Sequence, residues 1–285
     1  MSQADKLRKL LAGPDVLVLP GCFDAMSARL IERAGYRGAF MGGFAVAAAR
    51  AGLPDTGLIS YAEMVDQGRN VCAAVSFPVI GDGDTGYGNA INVRRTVQGY
   101  AQAGFACVMI EDQVAPKRCG HTRGKQVVGR DEAFGRIKAA ADARDEGADI
   151  LIMARTDANA TDGLEEALYR ASKFMEIGAD VTFLEAPRSE DEMRRYCAEV
   201  PGPKMANMVE QGDTPFLPPE RLGEIGYKIV IYPISLMLAG LKAMEDALAG
   251  MRQGRHPERL AEFAHLREIV GFPDYYEAEK KYAAD

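Results

Sequence analysis

The sequence predicts a closed (β/α)8 TIM barrel with a C-terminal helical extension, in one domain that spans residues 1–285. Eight short apolar segments recur along the chain, and segments with the periodicity of amphipathic helices alternate with them. Alternating strands and helices form parallel sheets through right-handed crossovers, and eight such units favour closure into a barrel. No Gly-x-Gly-x-x-Gly follows the first strand, which argues against an open dinucleotide-binding sheet.

The predicted elements can be taken in order along the chain. The strands are Val16–Pro20, Gly38–Gly43, Pro78–Asp84, Cys107–Asp112, Asp149–Asp157, Val181–Pro187, Lys204–Val209 and Lys228–Pro233. The helices between them have apolar residues spaced by three and four, and they are Asp24–Ala34, Ser60–Ala74, Asn89–Ala103, Asp131–Asp145, Leu164–Ile177, Glu190–Glu199 and Pro219–Glu224. Helices commonly end at a glycine in the left-handed conformation, and the candidates are Gly35, Gly104, Gly147 and Gly178.

A long helix and a polar tail follow the eighth strand. The helix is predicted over Ser235–Met251, and the tail over His256–Asp285 is rich in tyrosine. No linker rich in proline or serine separates residues 235–285 from the barrel, so we expect an extension of the same domain. We expect this extension to contribute to subunit contacts.

Composition excludes several classes of protein. The chain has 285 residues, of which 47 % are apolar and 26 % charged, as in ordinary globular enzymes. The net charge of −7, without a stripe of Lys and Arg, argues against nucleic acid or an anionic membrane as a partner. No apolar run reaches the roughly 20 residues that span a bilayer, and no signal peptide is apparent, so we expect a cytoplasmic location. The five widely spaced cysteines are expected to be reduced.

Acidic side chains follow several predicted strands at their carboxyl ends. The third strand ends in Gly81–Gly88, the fourth in Glu111-Asp112 and the sixth in Glu185. Active sites of such barrels lie at this end, so these groups converge there. Crowded carboxylates repel one another unless a divalent cation neutralises them, and oxygen ligands indicate Mg²⁺ or Mn²⁺. Mg²⁺ keeps positions open for a chelating 2-oxo or 2-hydroxy acid. The alternative is a simple turn rich in Gly and Asp.

A basic segment with one cysteine follows the fourth strand. It runs from Gln113 to Lys125 and includes Lys117, Cys119 and His121. Neighbouring cations are expected to lower the pKa of the Cys119 thiol, so that it can exchange a proton near neutral pH. Its Gly and Pro content indicates a mobile gating loop. The alternative is a solvated basic loop with a cysteine that takes no part in the chemistry.

Five motifs resemble those of the isocitrate lyase/phosphoenolpyruvate mutase superfamily, in the branch of methylisocitrate and 2,3-dimethylmalate lyases. They are Gly52-Leu53-Pro54-Asp55, Asp82-Gly83-Asp84-Thr85-Gly86-Tyr87-Gly88-Asn89, Ile110-Glu111-Asp112-Gln113, Lys117-Arg118-Cys119-Gly120-His121 and Met153-Ala154-Arg155-Thr156-Asp157-Ala158. The resemblance implies Mg²⁺ held by Asp82 and, partly through water, by Asp84 and Glu111, with Asp55 supporting the site. Mn²⁺ is the alternative metal.

The resemblance also implies roles around the metal. Cys119 would be the general acid on a lid, and Lys117, His121 and Arg155 would stabilise carboxylate and oxyanion charge. The residues implied in substrate binding are Gly42, Gly43, Gly120, Glu185 and Asn207. The superfamily usually assembles as tetramers with a terminal helix exchanged between subunits, so a homotetramer is expected.

Two departures from the family pattern bear on the substrate. Gly42 stands where many relatives place a Ser, and no Arg shortly follows Tyr232-Pro233-Ile234-Ser235. A third substrate carboxylate is then poorly served. Phe44, Met208 and Leu238 indicate an apolar sub-pocket, although each is equally well explained by packing in the barrel core.

The sequence therefore predicts a Mg²⁺-dependent carbon–carbon lyase of a small 2-hydroxy dicarboxylate, with 2,3-dimethylmalate-like or 2-methylisocitrate-like substrates. Its products would be a 2-oxo acid such as pyruvate and a carboxylate. The base that removes the hydroxyl proton stays open between Tyr87, Glu185 and a metal-bound water. The alternatives are an oxaloacetate hydrolase, a mutase or hydrolase of phosphonate P–C bonds that resembles carboxyphosphonoenolpyruvate mutases, and a catalytically silent binding barrel.

Overall fold

The computed structural model describes residues 1–119 and 124–283, and it contains a closed barrel of eight parallel strands in sequence order. The strands are β1 (Leu17–Cys22), β2 (Ala39–Met41), β3 (Val79–Asp82), β4 (Cys107–Glu111), β5 (Leu151–Thr156), β6 (Val181–Leu184), β7 (Lys204–Asn207) and β8 (Ile229–Tyr232). β8 pairs with β1 and closes the barrel. The predicted (β/α)8 fold is confirmed.

Side chains alternate between the two faces of each strand, as the pleat requires. In β4, for example, Cys107 and Met109 pack in the barrel interior, while Val108 and Ile110 pack against the surrounding helices. The interior core is filled mainly by apolar residues of medium size. On each strand, the inward position that follows the last interior core residue lies at the carboxyl end. These positions contribute to the site described below.

Helices surround the barrel. They are α1 (Gln3–Ala12), α2 (Ala25–Arg33), α3 (Gly43–Val46), α4 (Tyr61–Ala74), α5 (Ala90–Ala103), α6 (Arg130–Asp145), α7 (Ala158–Thr161), α8 (Leu164–Ile177), α9 (Glu190–Glu199) and α10 (Pro219–Ile225). Asp24, Ser60 and Asn89, predicted as first helical residues, are the N-caps, and each accepts a hydrogen bond from a backbone N–H of the first turn. The four predicted glycines Gly35, Gly104, Gly147 and Gly178 all have positive φ.

Several elements were not predicted. Ala4 and Leu7 of α1 pack with the interior core of the barrel, which explains why the start of the chain is amphipathic. α3 continues into a π-helical segment over Ala47–Ala51, and α7 is a single turn after β5. These pieces are too short to show a periodic pattern in the sequence.

The chain divides into two compact units, Met1–Ser235 and Leu236–Asp285. α11 (Ser235–Arg252) begins at the boundary, and the second unit also contains α12 (Phe263–Ile269) and α13 (Phe272–Tyr282), which pack on each other. The sequence predicted α11 but treated α12 and α13 as a polar tail. Among the helices in the described ranges, none is both long and apolar enough to cross a bilayer.

Candidate active site

A cavity of about 250 Å³ opens at the carboxyl ends of the strands. Among the residues that line it are Asp82, Arg155, Glu185 and Asn207, which each follow an interior core residue by two positions along the chain. Asp55, Gly42, Gly43 and Cys119 also border it. The alternation of strand side chains brings the first four together and the loops add the others, so the cavity wall combines residues from seven different segments of the chain.

Asp82 is held at both of its carboxylate oxygens. The Gly43 N–H donates to Oδ2 and the Asp84 N–H donates to Oδ1, each at 3.0 Å. A Cβ on Gly43 would lie 3.1 Å from Asp82 Oδ2, 3.3 Å from Asp84 Oδ1 and 3.5 Å from Asp55 Oδ1. Glycine at this position thus lets three carboxylates approach one point of the backbone, and its N–H is engaged by Asp82.

The Lys117 ammonium lies among these carboxylates. Its Nζ is 2.5 Å from Asp55 Oδ1 and 2.9 Å from Asp84 Oδ1, and all three side chains are buried. Burial by itself lowers the pKa of Lys117, but the surrounding carboxylates outweigh it and raise that pKa well above its usual value. Within 1–119 and 124–283, no three Asp, Glu, His or Cys side chains form a group that could hold a metal by themselves.

Arg155 is bound by three carboxylates. Its guanidinium makes two hydrogen bonds to Asp157, at 2.8 and 3.1 Å, and an ion pair of 3.0 Å with Glu185 Oε2. Glu111 Oε2 lies 3.3 Å from Arg155 Nε, and the two residues are register partners on β4 and β5. Burial works against the charge, yet the three carboxylates raise the pKa of Arg155 well above its usual value.

Two buried oxygen atoms at the site accept no hydrogen bond from the described residues. Glu111 Oε1 and Asn207 Oδ1 are buried and have no hydrogen-bond partner among the described residues. Burial raises the pKa of Glu111 well above its usual value, and the Asp157 and Asp82 charges add to that effect. Burial likewise raises the pKa of Asp84 to about 7, with further contributions from Asp82 and Asp55. Among the described residues, the negative charge of these carboxylates therefore exceeds the positive charge that faces them.

The two ends of the predicted lid segment pair with each other at its base. Gln113 pairs with Val127 in antiparallel fashion, and the Val128 N–H donates to the Asp112 carbonyl at 2.9 Å. The buried Arg136 guanidinium donates to the Glu111 and Gln113 carbonyls. The base of the loop is thus attached to α6, and Cys119 reaches the cavity. Gly120 and His121, both predicted site residues, lie outside the described residues.

The structure brings most predicted site residues into one network, but two predicted residues of the unit Met1–Ser235 lie outside the cavity. Met208 packs in the layer between the barrel and its helices, because it follows the inward-facing Asn207 by one residue and faces the opposite side. Its place in the apolar sub-pocket was therefore predicted wrongly. Tyr87 is not among the described residues that line the cavity. Its hydroxyl instead lies 3.3 Å from the Tyr100 hydroxyl. Leu238 belongs to the second compact unit.

Several residues of the site had no predicted role. Asp157 holds Arg155 and lies 3.3 Å from the Lys125 ammonium, so it connects β5 to the end of the lid segment. Val209, Glu210 and Ile234 line the cavity beyond β7 and β8. Asp157 ends a predicted strand and belongs to the Met153–Ala158 motif, but no role was predicted for it, whereas Val209 and Ile234 resemble ordinary core residues.

Comparisons with known proteins are consistent along the whole chain. Residues 7–252 match the family model described as phosphoenolpyruvate phosphomutase. The chain is 42 % identical to the 2,3-dimethylmalate lyase of Eubacterium barkeri, over 99 % of both proteins. It is 37 % identical to the 2-methylisocitrate lyase of Bacillus subtilis, over 97 % of this chain and 91 % of that protein.

Solved structures show the same fold. An oxaloacetate acetylhydrolase bound to 3,3-difluorooxalacetate matches with a TM-score of 0.96 at 34 % identity, over 100 % of this chain and 98 % of that one. A 2,3-dimethylmalate lyase of the PEP mutase/isocitrate lyase superfamily matches with a TM-score of 0.95 at 35 % identity, over 100 % and 96 %. A phosphonopyruvate hydrolase with oxalate and Mg²⁺ matches with a TM-score of 0.87 at 27 % identity, over 99 % of both chains. The chain therefore belongs to the phosphoenolpyruvate mutase/isocitrate lyase superfamily.

Proposed function

We propose that the protein is a Mg²⁺-dependent carbon–carbon lyase that cleaves a small 2-hydroxy dicarboxylate to a 2-oxo acid and a carboxylate. One observation carries the proposal: a single cavity has buried carboxylates and Arg155 on one side, apolar side chains on the other, and the Cys119 thiol at its edge. The similarity to 2,3-dimethylmalate and 2-methylisocitrate lyases over nearly the full chain supports it.

The residues at the carboxyl ends of β3 and β4 fit a divalent cation. Six buried carboxylates (Asp55, Asp82, Asp84, Glu111, Asp157 and Glu185) share three described cations, Lys117, Lys125 and Arg155. Glu111 Oε1, which has no hydrogen-bond partner among the described residues, adds a further acceptor. Asp82 would hold the ion directly, and Asp84 and Glu111 partly through water, with Asp55 in support. A bound divalent cation supplies Lewis-acid stabilisation of negative charge on substrate oxygens.

The chain's own residues would divide the work of a retro-aldol cleavage. A base removes the proton from the 2-hydroxyl, the C2–O bond becomes a carbonyl, and the electrons of the C2–C3 bond pass to C3. Arg155 stabilises the negative charge that develops on the carboxylate and carbonyl oxygens. The Cys119 thiol then donates its proton to C3, which yields the carboxylate product.

Three side chains can be compared as the base that removes the proton of the 2-hydroxyl. Burial raises the pKa of Tyr87 well above its usual value, and its hydroxyl is occupied by Tyr100, so it is a poor base near neutral pH. Glu185 is held by Arg155 and by the Ala186 N–H. Glu210 accepts a hydrogen bond from the Ser235 hydroxyl, while its other oxygen is buried without a partner among the described side chains. These contacts favour Glu210 as the acceptor of the hydroxyl proton.

The apolar side of the cavity favours an alkyl-substituted diacid. We define this side as Phe44, Val209, Ile231, Pro233 and Ile234, all of which line the cavity. Among the described residues that line the cavity, Arg155 is the one cation and it already faces three carboxylates, so a third substrate carboxylate would be desolvated on the apolar side without a described partner. This supports a 2,3-dimethylmalate-like substrate over 2-methylisocitrate.

A coupled assay of 2-oxo acid release tests the function. We expect release with Mg²⁺ from 2,3-dimethylmalate, measured beside 2-methylisocitrate, isocitrate, citramalate and oxaloacetate. In D₂O, the propionate formed should carry one deuterium at C2, because a solvent-exchangeable proton quenches C3. No release from any 2-hydroxy diacid would refute the lyase.

Oxaloacetate hydrolysis is the second candidate. It is favoured by the TM-score of 0.96 to an oxaloacetate acetylhydrolase. The same panel decides between the two, since hydrolysis of oxaloacetate gives oxalate and acetate rather than a new 2-oxo acid. Phosphonopyruvate is assayed in parallel, and phosphate release from it alone would instead indicate P–C bond chemistry.

A homotetramer that exchanges its terminal helices is the assembly we propose. α11 carries Leu241, Met244, Leu248 and Met251 at spacings of three and four, and all four are exposed. Such a stripe is stabilised by packing against another apolar surface. Sedimentation should give four times the monomer mass, and Leu248→Lys should lower it. A cytoplasmic location stays a prediction of the sequence.

A further inference from the structure

The loop that carries Asp82 and Asp84 has an unusual backbone. Asp84 and Tyr87 have φ of 48° and 59°, and Gly86 between them has φ of 85°. The left-handed conformation is unfavourable for a non-glycine residue, so two such residues in four positions persist only if contacts outside the loop hold them.

Helix α5 supplies those contacts along one buried face. Val93, Thr96 and Tyr100, at spacings of three and four, point to the loop. The Thr96 hydroxyl donates to the Gly86 carbonyl at 3.0 Å, and a Cβ on Gly86 would lie 2.3 Å from a Val93 methyl. The loop therefore packs tightly against α5, and a side chain at Gly86 would clash with Val93.

Tyr100 makes the contact that is closest to the carboxylate pair. Its hydroxyl donates to the Asp82 carbonyl at 2.6 Å, and its ring stacks on Phe105 with centroids 4.8 Å apart. The Tyr87 hydroxyl, at 3.3 Å, satisfies the Tyr100 hydroxyl in turn. Asp82 is thus fixed at three points, since its two carboxylate oxygens accept from Gly43 and Asp84.

We propose that Tyr100, supported by Tyr87, is a positioning residue that fixes the Asp82–Asp84 carboxylate pair for divalent-cation binding. A phenylalanine would fill the same space against Phe105, but the Asp82 carbonyl would lose its donor and the Tyr87 hydroxyl would lose its partner. A buried carbonyl without a donor is unfavourable, so the strand end is expected to shift until water or another donor reaches it. Side chains that orient metal ligands in this way strongly affect metal affinity.

The test uses Tyr100→Phe, with Tyr196→Phe as the matched control. Tyr196 is equally buried, and its hydroxyl donates to Thr182 Oγ1 at 2.8 Å, but it contacts no residue of the proposed metal site. Mn²⁺ is titrated into the metal-free proteins, and unbound Mn²⁺ is measured by electron paramagnetic resonance. Thermal unfolding of each protein is followed in parallel.

We expect Tyr100→Phe to weaken Mn²⁺ binding about tenfold and Tyr87→Phe to weaken it less, with Tyr196→Phe unchanged. Both buried-hydroxyl variants should lower the unfolding midpoint to a similar extent, so loss of stability alone would not produce this pattern. Folded Tyr100→Phe with wild-type affinity would overturn the proposal. Should that variant not fold, unchanged affinity in Tyr87→Phe would overturn it instead. The inference rests on the proposed metal site, and a wild type that binds no Mn²⁺ would overturn both.

Discussion

The charged side of the cavity, at the ends of β3 to β5, contrasts with its apolar side beyond β7 and β8. On the charged side, nearly every polar atom of Asp82, Lys117 and Arg155 is bound by another side chain or by the backbone. On the apolar side, Val209 and Ile234 contribute shape and little directional bonding. Groups that stabilise charge must be held in fixed geometry, whereas a wall that selects alkyl groups needs only to exclude water.

Removing Asp82 should have the largest effect. Asp82→Ala deletes the carboxylate on which Gly43 and Asp84 converge, so we expect loss of Mn²⁺ binding and a fall in kcat/KM of about 10³-fold or more. Calorimetric titration of the metal and the oxo-acid assay measure the two losses. Asp180→Asn, which breaks an ion pair with Arg144 on the outside of the barrel, serves as control. Normal metal binding by Asp82→Ala would contradict its role.

Cys119→Ala should abolish most turnover without changing the metal site. Loss of a general acid typically costs 10²–10⁴-fold, and we expect about 10³-fold in kcat with unchanged Mn²⁺ affinity. Cys72→Ala, outside the cavity, should turn over as the wild type does. Full activity in Cys119→Ala would exclude the thiol as proton donor.

Glu210→Gln tests a polar residue on the otherwise apolar side. The amide keeps the shape of the side chain but does not accept a proton, so kcat should fall by about 10²-fold. Mn²⁺ binding should stay constant. If Glu185→Gln shows the kinetic loss and Glu210→Gln does not, the assignment of the base must pass to Glu185.

Metal affinity should depend on pH in a direction set by the charged side. Burial raises the pKa of Asp84 to about 7 in the metal-free protein, so below that pH a proton competes with the cation. We expect Mn²⁺ affinity to fall about fivefold between pH 7 and 6. Without metal, the stability of the fold changes with pH in the opposite direction to the metal affinity. The folded state keeps this proton between about pH 4 and 7 while the unfolded chain has lost it, so the free energy of unfolding falls as pH rises through that window. Titrations and urea unfolding across that range measure both.

Changes on the apolar side should have the smallest effects and alter preference rather than rate. Val209→Thr replaces a methyl group by a hydroxyl of similar size, which disfavours an alkyl substituent nearby. We expect the ratio of kcat/KM for 2,3-dimethylmalate over citramalate to fall about threefold to tenfold. Met208→Leu, one residue earlier but facing the helices, should leave the ratio unchanged.

The charged side was largely predictable because its residues interrupt an apolar pattern. Asp82, Glu111, Arg155 and Glu185 stand out at the ends of apolar strands, where a barrel places its active site. The apolar side was not predictable in the same way. Val209 and Ile234 have the composition of core residues, and Met208 differs from its neighbour Val209 only in the direction that it faces, which the backbone of the folded chain decides.

The sequence by itself determined the eight strands, most of the helices and which strand ends carry charge, because these follow from local periodicity and from glycine and capping residues. Only the tertiary structure decided which groups meet. Lys117 lies 62 residues from Asp55 along the chain, yet their charged atoms are 2.5 Å apart. That distance depends on how the closed barrel brings its loops together, and local sequence patterns carry no record of it.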